Sequence, residues 1–216
     1  MDTDGHSAVD TVYMKAEAGL KDRLVSCATA MVTESGPENV TLRAIARSAG
    51  VSHGAPLRHF AGREALLSAV AAQGFRDLAA RGRGVLAGLP PAYDSGQRLQ
   101  AACRTYVAFA FDEPGMFALM FRHDLVDPRE PELARVSLEV FDTLVELVRA
   151  HQATGWQHRT DSRRLAGALW SALHGFAQLW IWNALPTATG AATPDAVLEV
   201  LLRAFDLPAV GGAGDA

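Results

Sequence analysis

Lysine and cysteine are scarce in this sequence of 216 residues, and long apolar runs are absent from it. Lys15 and Lys21 are the only lysines, and arginine supplies the other basic side chains. Cys27 and Cys103 have no CxxC spacing and lie among apolar neighbours, so the sequence favours buried thiols over a disulfide or a metal site. No run of about 18 uncharged apolar residues could span a membrane, and the acidic N-terminus is unlike a basic signal peptide. We therefore expect a soluble, cytoplasmic protein with no membrane partner, metal or cofactor.

The apolar side chains follow the period of an α-helix. Hydrophobic residues make up 49% of the sequence, which is enough for the core of one domain or of two small ones. Apolar positions recur three and four residues apart almost throughout, and no alternation typical of a strand appears. The sequence therefore predicts an all-α fold of about nine helices.

Net charge gives only weak evidence about a partner. The formal charge of −4 argues against a nucleic-acid partner when it is taken alone. Residues 15–65, however, carry seven Lys or Arg against five acidic residues and form the only net-positive block of the chain. The pattern of residues inside this block is more informative than its charge.

Within this block, the segment Thr41–Phe60 contains two short helical patterns joined at a glycine. Thr41 can cap the first helix, Gly50 has the backbone freedom for a sharp turn, and Ser52 can cap a further helix that reaches Phe60. A short helix, a glycine turn and a second helix with a polar outer side match the helix-turn-helix, in which the second helix enters the DNA major groove. An ordinary helical corner with solvated polar residues remains the alternative on this pattern alone.

The longer stretch ENVTLRAIARSAGVSHGAPLRHFAGREALL closely resembles the N-terminal domain of tetracycline-repressor (TetR) family transcription regulators. Its register agrees with the family pattern over about 30 residues. A second stretch, WSALHGFAQL from Trp170 to Leu179, resembles the Trp-x-x-x-His-Gly (WHG) segment of one effector-domain subgroup. The residues that match the N-terminal pattern are Thr41, Ile45, Ala46, Ala49, Gly50, Val51, Ser52, His59, Phe60, Arg63, Glu64 and Leu66.

The resemblance implies two functional domains. Residues 15–62 would form a three-helix helix-turn-helix DNA-binding domain, and residues 63–207 a helical domain for effector binding and dimerisation. We expect residues 1–14 to form a disordered arm and residues 208–216 a flexible tail. The partners implied are double-stranded DNA, a small-molecule effector and a second copy of the chain.

Transferred by position, the resemblance also implies DNA contacts. Thr41 and Arg63 would bind phosphates, and Arg43 and His53 would reach base edges, with Arg43 the main source of specificity because arginine can grip guanine in a bidentate way. The other residues expected to line the groove or the backbone are Ser52, Gly54, Ala55, Leu57, Arg58 and His59.

Two residues depart from the family pattern. Leu57 stands where the family usually has a tyrosine that touches phosphate, and it cannot donate a hydrogen bond. Pro56 stands where a branched apolar residue is usual, and we expect it near the end of the helix's first turn, where proline is tolerated. Both departures bear on individual DNA contacts and leave the family resemblance intact.

The C-terminal part carries the expected effector and dimer residues. Aromatic and methionine side chains line adaptable apolar pockets, although plain core packing is the favoured explanation of each such residue taken singly. The candidate effector residues are Phe109, Met116, Phe117, Met120, Phe121, Trp156, Trp170 and His174. The candidate dimer residues, which lie on the last two long helices, are Phe176, Leu179, Trp180, Leu198, Leu201, Leu202 and Phe205.

The resemblance implies a ligand-responsive regulator, acting as a repressor on a palindromic operator and released by a small apolar or amphipathic effector. If the effector favours the state whose recognition helices are wrongly spaced for the operator, DNA and effector weaken each other's binding by the same factor. The helix that begins at Arg63 would carry the movement, because it follows the recognition helix and packs into the effector domain. A constitutive or degenerate DNA-binding dimer without an effector remains an alternative. An enzyme is the third interpretation. The sequence has no GxSxG, HExxH or GxxxxGK[ST] motif, so we expect no enzymatic activity.

Overall fold

The computed structural model describes the backbone of residues 5–207 and the side chains of residues 19–207. Within this range the chain forms ten α-helices and one short 3-10 helix, and it forms no β-strand. The predicted all-α fold is therefore confirmed. The helices are α1 (Gly5–Ser35), α2 (Leu42–Ser48), α3 (Pro56–His59), α4 (Arg63–Gly88), α5 (Ser95–Asp112), α6 (Pro114–Met120), α7 (Pro131–Gln152), α8 (Ser162–Ile181), α9 (Ala184–Thr189) and α10 (Pro194–Ala204), and the 3-10 helix is Pro37–Asn39.

The sequence pattern does not predict α9 as a helix separate from α8. Helix α8 ends at Ile181, and the next turn places Asn183 in the left-handed backbone region at φ 58°. An asparagine tolerates this conformation better than most residues, and it interrupts the helical hydrogen bonds. The pattern merged α9 with the end of α8 and the following turn, which accounts for a prediction of about nine.

Helix α1 is longer than its apolar stripe indicates. It begins at Gly5, whereas the stripe begins near residue 16, so helical backbone extends into the segment that we expected to form a disordered arm. No proline interrupts residues 5–14. The first four residues and the expected tail, 208–216, lie outside the described residues.

The described residues divide into two compact units. The first consists of the residues up to Gly74 together with Gly115–Ala134, and the second consists of Phe75–Pro114 together with the residues from Arg135 onward. Helices α4 and α7 each contribute residues to both units. The unit that contains α2 and α3 is therefore discontinuous in sequence.

The first unit has a core drawn from every helix in it. Apolar side chains from the helices before α4 pack with the first half of α4 and with α6, and burial of this kind is the main source of stability in a small domain. The core side chains at or below 1% exposure include Leu24, Ala28, Val32, Ile45, Ala46, Leu66, Leu67, Val70, Phe117 and Leu119.

The second unit is organised around α5 and α8, which pack against each other along their length. Helix α5 starts at a capping box, in which Asp94 accepts from the Gln97 amide and the Gln97 side chain accepts from the Asp94 amide. The buried cluster of this unit includes Leu99, Cys103 and Val107 of α5, Leu165, Leu169, Leu173 and Phe176 of α8, and Leu198 and Leu202 of α10.

Both cysteines are free thiols, as the sequence indicates. Cys103 is buried in the second unit, and burial raises the pKa of its thiol to about 12. Cys27 is half-buried in α1. Of the helices that are described, none combines the length and the apolar character needed to cross a membrane.

Candidate nucleic-acid interface

Thr41 caps the start of α2, as the sequence predicts. The Thr41 backbone is extended, and its Oγ1 accepts a hydrogen bond from the Ala44 amide at 3.2 Å. This bond satisfies one of the amides at the helix start that have no partner within the helix. Ile45 and Ala46 are buried, whereas Arg43 is exposed. Helix α2 therefore anchors on one face and presents arginine on the other.

The turn after α2 depends on Gly50. The Ala49 amide donates to the Ile45 carbonyl at 2.8 Å, and the Val51 amide donates to the Ala46 carbonyl at 2.9 Å. Between them Gly50 takes a φ of 66°, a left-handed conformation that costs other residues free energy because of their Cβ atoms. The glycine at the corner of the helix-turn-helix is thus required by the backbone geometry.

Helix α3 is shorter than predicted, because it begins at Pro56 and not after Ser52. Proline lacks an amide hydrogen, and within a helix its ring clashes with the carbonyl four residues earlier, which here is that of Ser52. Residues 52–55 accordingly form a separate turn, closed by the Ala55 amide on the Ser52 carbonyl at 3.0 Å. Ser52 is therefore not the cap of α3, and Pro56 occupies the first position of the helix instead of the end of its first turn.

The outer surface of α2, the turn and α3 contains most of the residues expected to face DNA. Leu57 is unusual among them, because it is a large apolar side chain that is 59% exposed. His59 is half-buried, and Ala55 is buried at 8% exposure, so Ala55 offers almost no surface to a ligand. The exposed members of the expected set are Thr41, Arg43, Ser52, His53, Gly54, Leu57 and Arg58.

The Arg63 side chain, which was expected to bind phosphate, is bonded within the first unit. Its Nε donates to the Val40 carbonyl at 2.6 Å, and its Nη2 donates to the Pro37 carbonyl at 2.6 Å. A longer contact of 3.4 Å joins Nη2 to the Glu38 carbonyl. The start of α4 is thereby tied to the 3-10 helix that precedes α2.

Arg122 contacts the same 3-10 helix through a different group. Its Nη1 donates to Glu38 Oε1 at 2.6 Å, and its Nε and Nη2 donate to the two carboxylate oxygens of Asp124 at 2.7 Å each. The hydrogen bond from Arg122 lowers the pKa of Glu38 and lowers the pKa of Asp124 to about 2. Sequence reasoning missed this cluster, since Arg122 and Glu38 lie 84 residues apart.

Four of the candidate effector residues belong to the first unit. Met116, Phe117 and Met120 are buried, and the ring of the half-buried Phe121 lies 5.3 Å from that of Phe117. The two methionines pack against Gly74, where a Cβ atom would lie 2.6 Å from the Met116 sulfur and 2.9 Å from the Met120 sulfur. Inside this unit, these side chains serve as core.

Trp170 and His174, two further candidates, meet at Tyr106 in the second unit. The Trp170 Nε1 donates to the Tyr106 hydroxyl at 3.0 Å, and the same hydroxyl lies 2.9 Å from His174 Nδ1. The indole can only donate, so the Tyr106 hydroxyl accepts from Trp170, and its own proton can be donated to Nδ1 when the imidazole is neutral. Burial lowers the pKa of His174 and raises the pKa of Tyr106. Of these three hydrogen-bonded residues, Tyr106 is the one that sequence reasoning did not select as a candidate site residue.

Trp156 lies at an open cavity of about 700 Å³ in the second unit. Its indole Nε1 donates to the Phe205 carbonyl at 2.8 Å, and its ring stacks on His151 at 4.7 Å. Asp94 and Arg203 also line the cavity. The remaining candidate, Phe109, is 4% exposed and belongs to the buried face of α5.

The candidate dimer residues divide into a buried and an exposed group. Phe176, Leu198 and Leu202 are buried in the core of the second unit. Trp180, Leu201 and Phe205 are partly buried against that core, and Leu179 is 42% exposed. Two large apolar side chains that the sequence analysis did not select, Trp182 and Val200, are 67% and 58% exposed.

The acidic side chains Asp124 and Asp127, in the loop after α6, are engaged with arginine. Asp124 pairs with Arg122, and Asp127 pairs with Arg129 at 3.0 Å. Among the described residues, no group of three or more His, Cys, Asp or Glu side chains is placed to hold a metal ion.

Two family models match the chain on either side of residue 80. Residues 24–70 match the model of bacterial regulatory proteins of the tetR family, and residues 99–205 match the tetracyclin repressor-like C-terminal domain. The chain belongs to the TetR family. The α2–turn–α3 segment is therefore the helix-turn-helix of a DNA-binding transcriptional regulator, and α5–α10 fall in the TetR C-terminal domain.

Solved structures agree with this assignment. A protein of unknown function from Rhodococcus sp. RHA1 is 28% identical, with a TM-score of 0.74, 86% of this chain covered and 93% of that chain. A transcriptional regulator of the TetR/AcrR family from Thermobifida fusca is 20% identical, with a TM-score of 0.62, 89% of this chain covered and 98% of that one. A bacterial regulatory protein in the tetR family from Rhodococcus RHA1 is 20% identical, with a TM-score of 0.59, 85% of this chain covered and 95% of that one. No curated protein sequence matches.

Proposed function

We propose that this TetR-family regulator acts in the cytoplasm as a repressor, binds a palindromic operator as a homodimer, and is released by a small apolar or amphipathic effector. The observation that carries the proposal is the exposed face of the helix-turn-helix, where Arg43, His53 and Arg58 project from a buried frame. Basic and hydrogen-bonding side chains on a short rigid helix pair suit the phosphates and base edges of a major groove.

The exposure of each side chain supports the roles that we propose on this face. Arg43 is exposed on α2 and is the candidate for a bidentate guanine contact, with His53 as a second base reader. Thr41, which caps α2, and Arg58 are exposed, and we propose that both bind phosphate. We assign Arg63 to a different task, because its guanidinium is bonded to protein carbonyls.

Exposed apolar side chains near the C-terminal end of the described residues support a homodimer. Leu179, Trp182 and Val200 are large and at least 42% exposed, and such residues commonly mark an interface between proteins. Phe176, Leu198 and Leu202 would support this surface from within the subunit. A two-fold dimer presents two recognition helices to two half-sites, so the operator should be an inverted repeat.

The second unit offers polar groups set among aromatic rings, which suits an amphipathic effector. The Tyr106 hydroxyl lies between Trp170 and His174, and Trp156 borders the open cavity. Ligand sites in proteins combine apolar walls with a few oriented polar groups of this kind. We propose binding and no turnover of the effector, so the protein is not an enzyme.

A constitutive DNA-binding dimer without an effector is the second candidate. The burial of Met116, Phe117 and Met120 favours it, because these side chains already have packing partners in the first unit. The two candidates differ in a single property, which is whether any small molecule releases the DNA.

Selection from a random-sequence duplex library tests the proposal. The wild-type chain should enrich an inverted repeat with half-sites about one helical turn apart, and its affinity should fall steeply with salt. A metabolite panel is then added to the selected complex. Release by one class of compound supports the effector-responsive repressor, and retention against the whole panel supports the constitutive dimer. Failure to enrich any sequence, or enrichment of a single unrepeated half-site, would reject the dimeric operator.

A further inference from the structure

The 3-10 helix Pro37–Asn39 controls where the DNA-facing part of α2 begins. It is joined to α2 by only Val40 and Thr41, and Thr41 is both the cap of α2 and an expected phosphate contact. Pro37 is buried, so one side of this short helix is fixed in the core. Whatever holds its other side therefore sets the position of Thr41 relative to DNA.

Two arginines from distant parts of the chain hold this short helix. Arg63 bonds to the Pro37 and Val40 carbonyls at 2.6 Å each, and Arg122 bonds to the Glu38 carboxylate at 2.6 Å. Outside the short 3-10 turn, no helical amide among the described residues donates to the Pro37 and Val40 carbonyls. The guanidinium of Arg63 therefore supplies hydrogen bonds that these carbonyls need. Arg63 thus binds backbone carbonyls, and Arg122 binds the side chain of Glu38.

Arg122 is pre-oriented for this contact. Asp124 binds its Nε and Nη2 at 2.7 Å each, which fixes the plane of the guanidinium and directs Nη1 toward Glu38. A fork held in this way loses less side-chain entropy on forming a further bond than a free arginine does. An isolated exposed ion pair contributes little, whereas a networked one of good geometry can define a position.

The segment that carries Arg122 is itself anchored within the first unit. A Cβ atom on Gly115 would lie 2.5 Å from the Val32 carbonyl oxygen, so the start of α6 lies directly against α1. The Asp127 amide donates at 3.0 Å to Oγ of Ser68, a residue that is fully buried. Arg122 lies between these two anchor points in the sequence, so the segment that carries it is held by contacts on both sides.

We propose that Arg122 is a positioning residue for DNA binding, which acts through Glu38 on Thr41 and α2, and that Arg63 has the same role from the backbone side. The inference rests on the proposed operator binding and adds residues to it that touch no DNA. It assigns a function to the Arg122–Glu38–Asp124 cluster, which belongs neither to the recognition surface nor to the second unit.

Glu38→Gln provides the decisive measurement, because positioning and simple electrostatics predict opposite signs. Removing an acidic group near DNA should strengthen binding if charge alone matters. Loss of a positioning contact should weaken it. We expect Glu38→Gln and Arg122→Gln each to raise Kd for the selected duplex about three- to ten-fold, within the usual range for coupling through packed networks. The double variant should be no weaker than the weaker single variant, as expected of two members of one contact.

Salt dependence separates positioning from a phosphate contact. Arg122→Gln should leave the slope of log Kd against log salt unchanged, whereas Arg58→Gln should reduce its magnitude by about one. Arg129→Gln is the matched control, since it removes the same charge from the same segment at a side chain that is 89% exposed. Thermal unfolding of each variant shows whether the unit remains folded, and amide hydrogen exchange at residues 40–44 should be faster in Arg122→Gln.

Two results would overturn the inference alone. The first is a Glu38→Gln variant that binds the duplex as tightly as the wild type or more tightly. The second is an Arg122→Gln variant indistinguishable from Arg129→Gln in affinity and exchange. A wild-type chain that enriches no duplex would overturn the proposed operator binding and this inference together, so the two failures are distinguishable.

Discussion

Leu57 is the residue on the helix-turn-helix surface whose chemistry fits phosphate least. It is 59% exposed and cannot donate a hydrogen bond, but a branched apolar side chain suits the 5-methyl group of thymine in the major groove. We predict that Leu57→Ala raises Kd for the selected duplex about five-fold, which corresponds to about 1 kcal/mol. Fluorescence anisotropy with thymine and uracil versions of the duplex measures the effect.

The uracil duplex makes this prediction specific. Without the 5-methyl group, the wild type and Leu57→Ala should bind equally well. Leu138→Ala is the control, because Leu138 is also a leucine and is 53% exposed on α7. Equal losses for Leu57→Ala on both duplexes would show that Leu57 does not read thymine.

His174 should respond to pH in a direction fixed by its surroundings. Burial lowers its pKa below the usual 6.5, and its Nδ1 lies 2.9 Å from the Tyr106 hydroxyl, which can donate to the neutral imidazole. The unfolded chain therefore takes up a proton first as pH falls below about 6.5, so the contribution of His174 to stability is complete above that pH and is lost below it. We predict that Tm falls between pH 7.5 and 5.5, and that it falls less in His174→Gln.

The other histidines provide the controls for that measurement. His151 is also buried enough to lower its pKa, so part of the pH dependence should remain in His174→Gln. His158→Gln makes the same substitution at an exposed side chain and controls for the change of residue type. If Tm falls by the same amount between pH 7.5 and 5.5 in His174→Gln and in the wild type, the imidazole of His174 is not held neutral by the fold.

At the scale of elements, the packing of α6 on α1 depends on the absence of a side chain. A methyl group at Gly115 would meet the Val32 carbonyl at 2.5 Å, and backbone cannot rotate away as a flexible side chain can. We predict that Gly115→Ala lowers the free energy of unfolding by about 1 to 3 kcal/mol, as overpacked sites do. Urea denaturation measures this quantity.

Gly19→Ala is the counterpart in the same unit. No atom lies within 4 Å of a Cβ placed at Gly19 in α1, so alanine should fit without strain. It should raise the free energy of unfolding by about 0.5 to 1 kcal/mol, since glycine is unfavourable inside a helix. Similar effects of the two substitutions would mean that close approach at Gly115 does not limit packing.

Elements with a strong local pattern were predictable. Helical spacing of apolar residues predicted the all-α fold, and the cap at Thr41 and the turn at Gly50 were found where the sequence placed them. The start of α3 was misplaced because the ring of Pro56 outweighs the capping tendency of Ser52. Helix α9 was missed because one left-handed asparagine, Asn183, divides a continuous apolar pattern.

Contacts across long sequence separations were not predictable. The sequence around Glu38 does not indicate its contact with Arg122. The hydrogen bonds of Arg63 to backbone carbonyls follow from the fold of residues 37–40. Most of the residues that the resemblance predicts to face DNA are exposed, but Ala55 is buried. The DNA contacts themselves remain predictions.

At the scale of the whole molecule, the helix-turn-helix unit is not a continuous N-terminal piece. Residues 115–134 supply part of its core, and Phe117 and Leu119 in that segment are at or below 1% exposure. We predict that a fragment ending at Gly74 exposes this core and gives no cooperative thermal unfolding transition. A fragment in which a glycine-serine linker joins Gly74 to Gly115–Ala134 should unfold cooperatively, and circular dichroism can compare the two. A sharp transition in the shorter fragment would show that the segment is dispensable.

This discontinuity has a consequence for the timing of biosynthesis. A ribosome that has translated the whole helix-turn-helix still has about forty residues of the other unit to add before Gly115 is made, and the last contributing residue is Ala134. The nascent chain therefore acquires every residue of the first unit only once Ala134 has been added, well after Phe60 at the end of the helix-turn-helix. A chain that terminates before Ala134 would therefore keep the helix-turn-helix sequence but lack part of the core on which it packs.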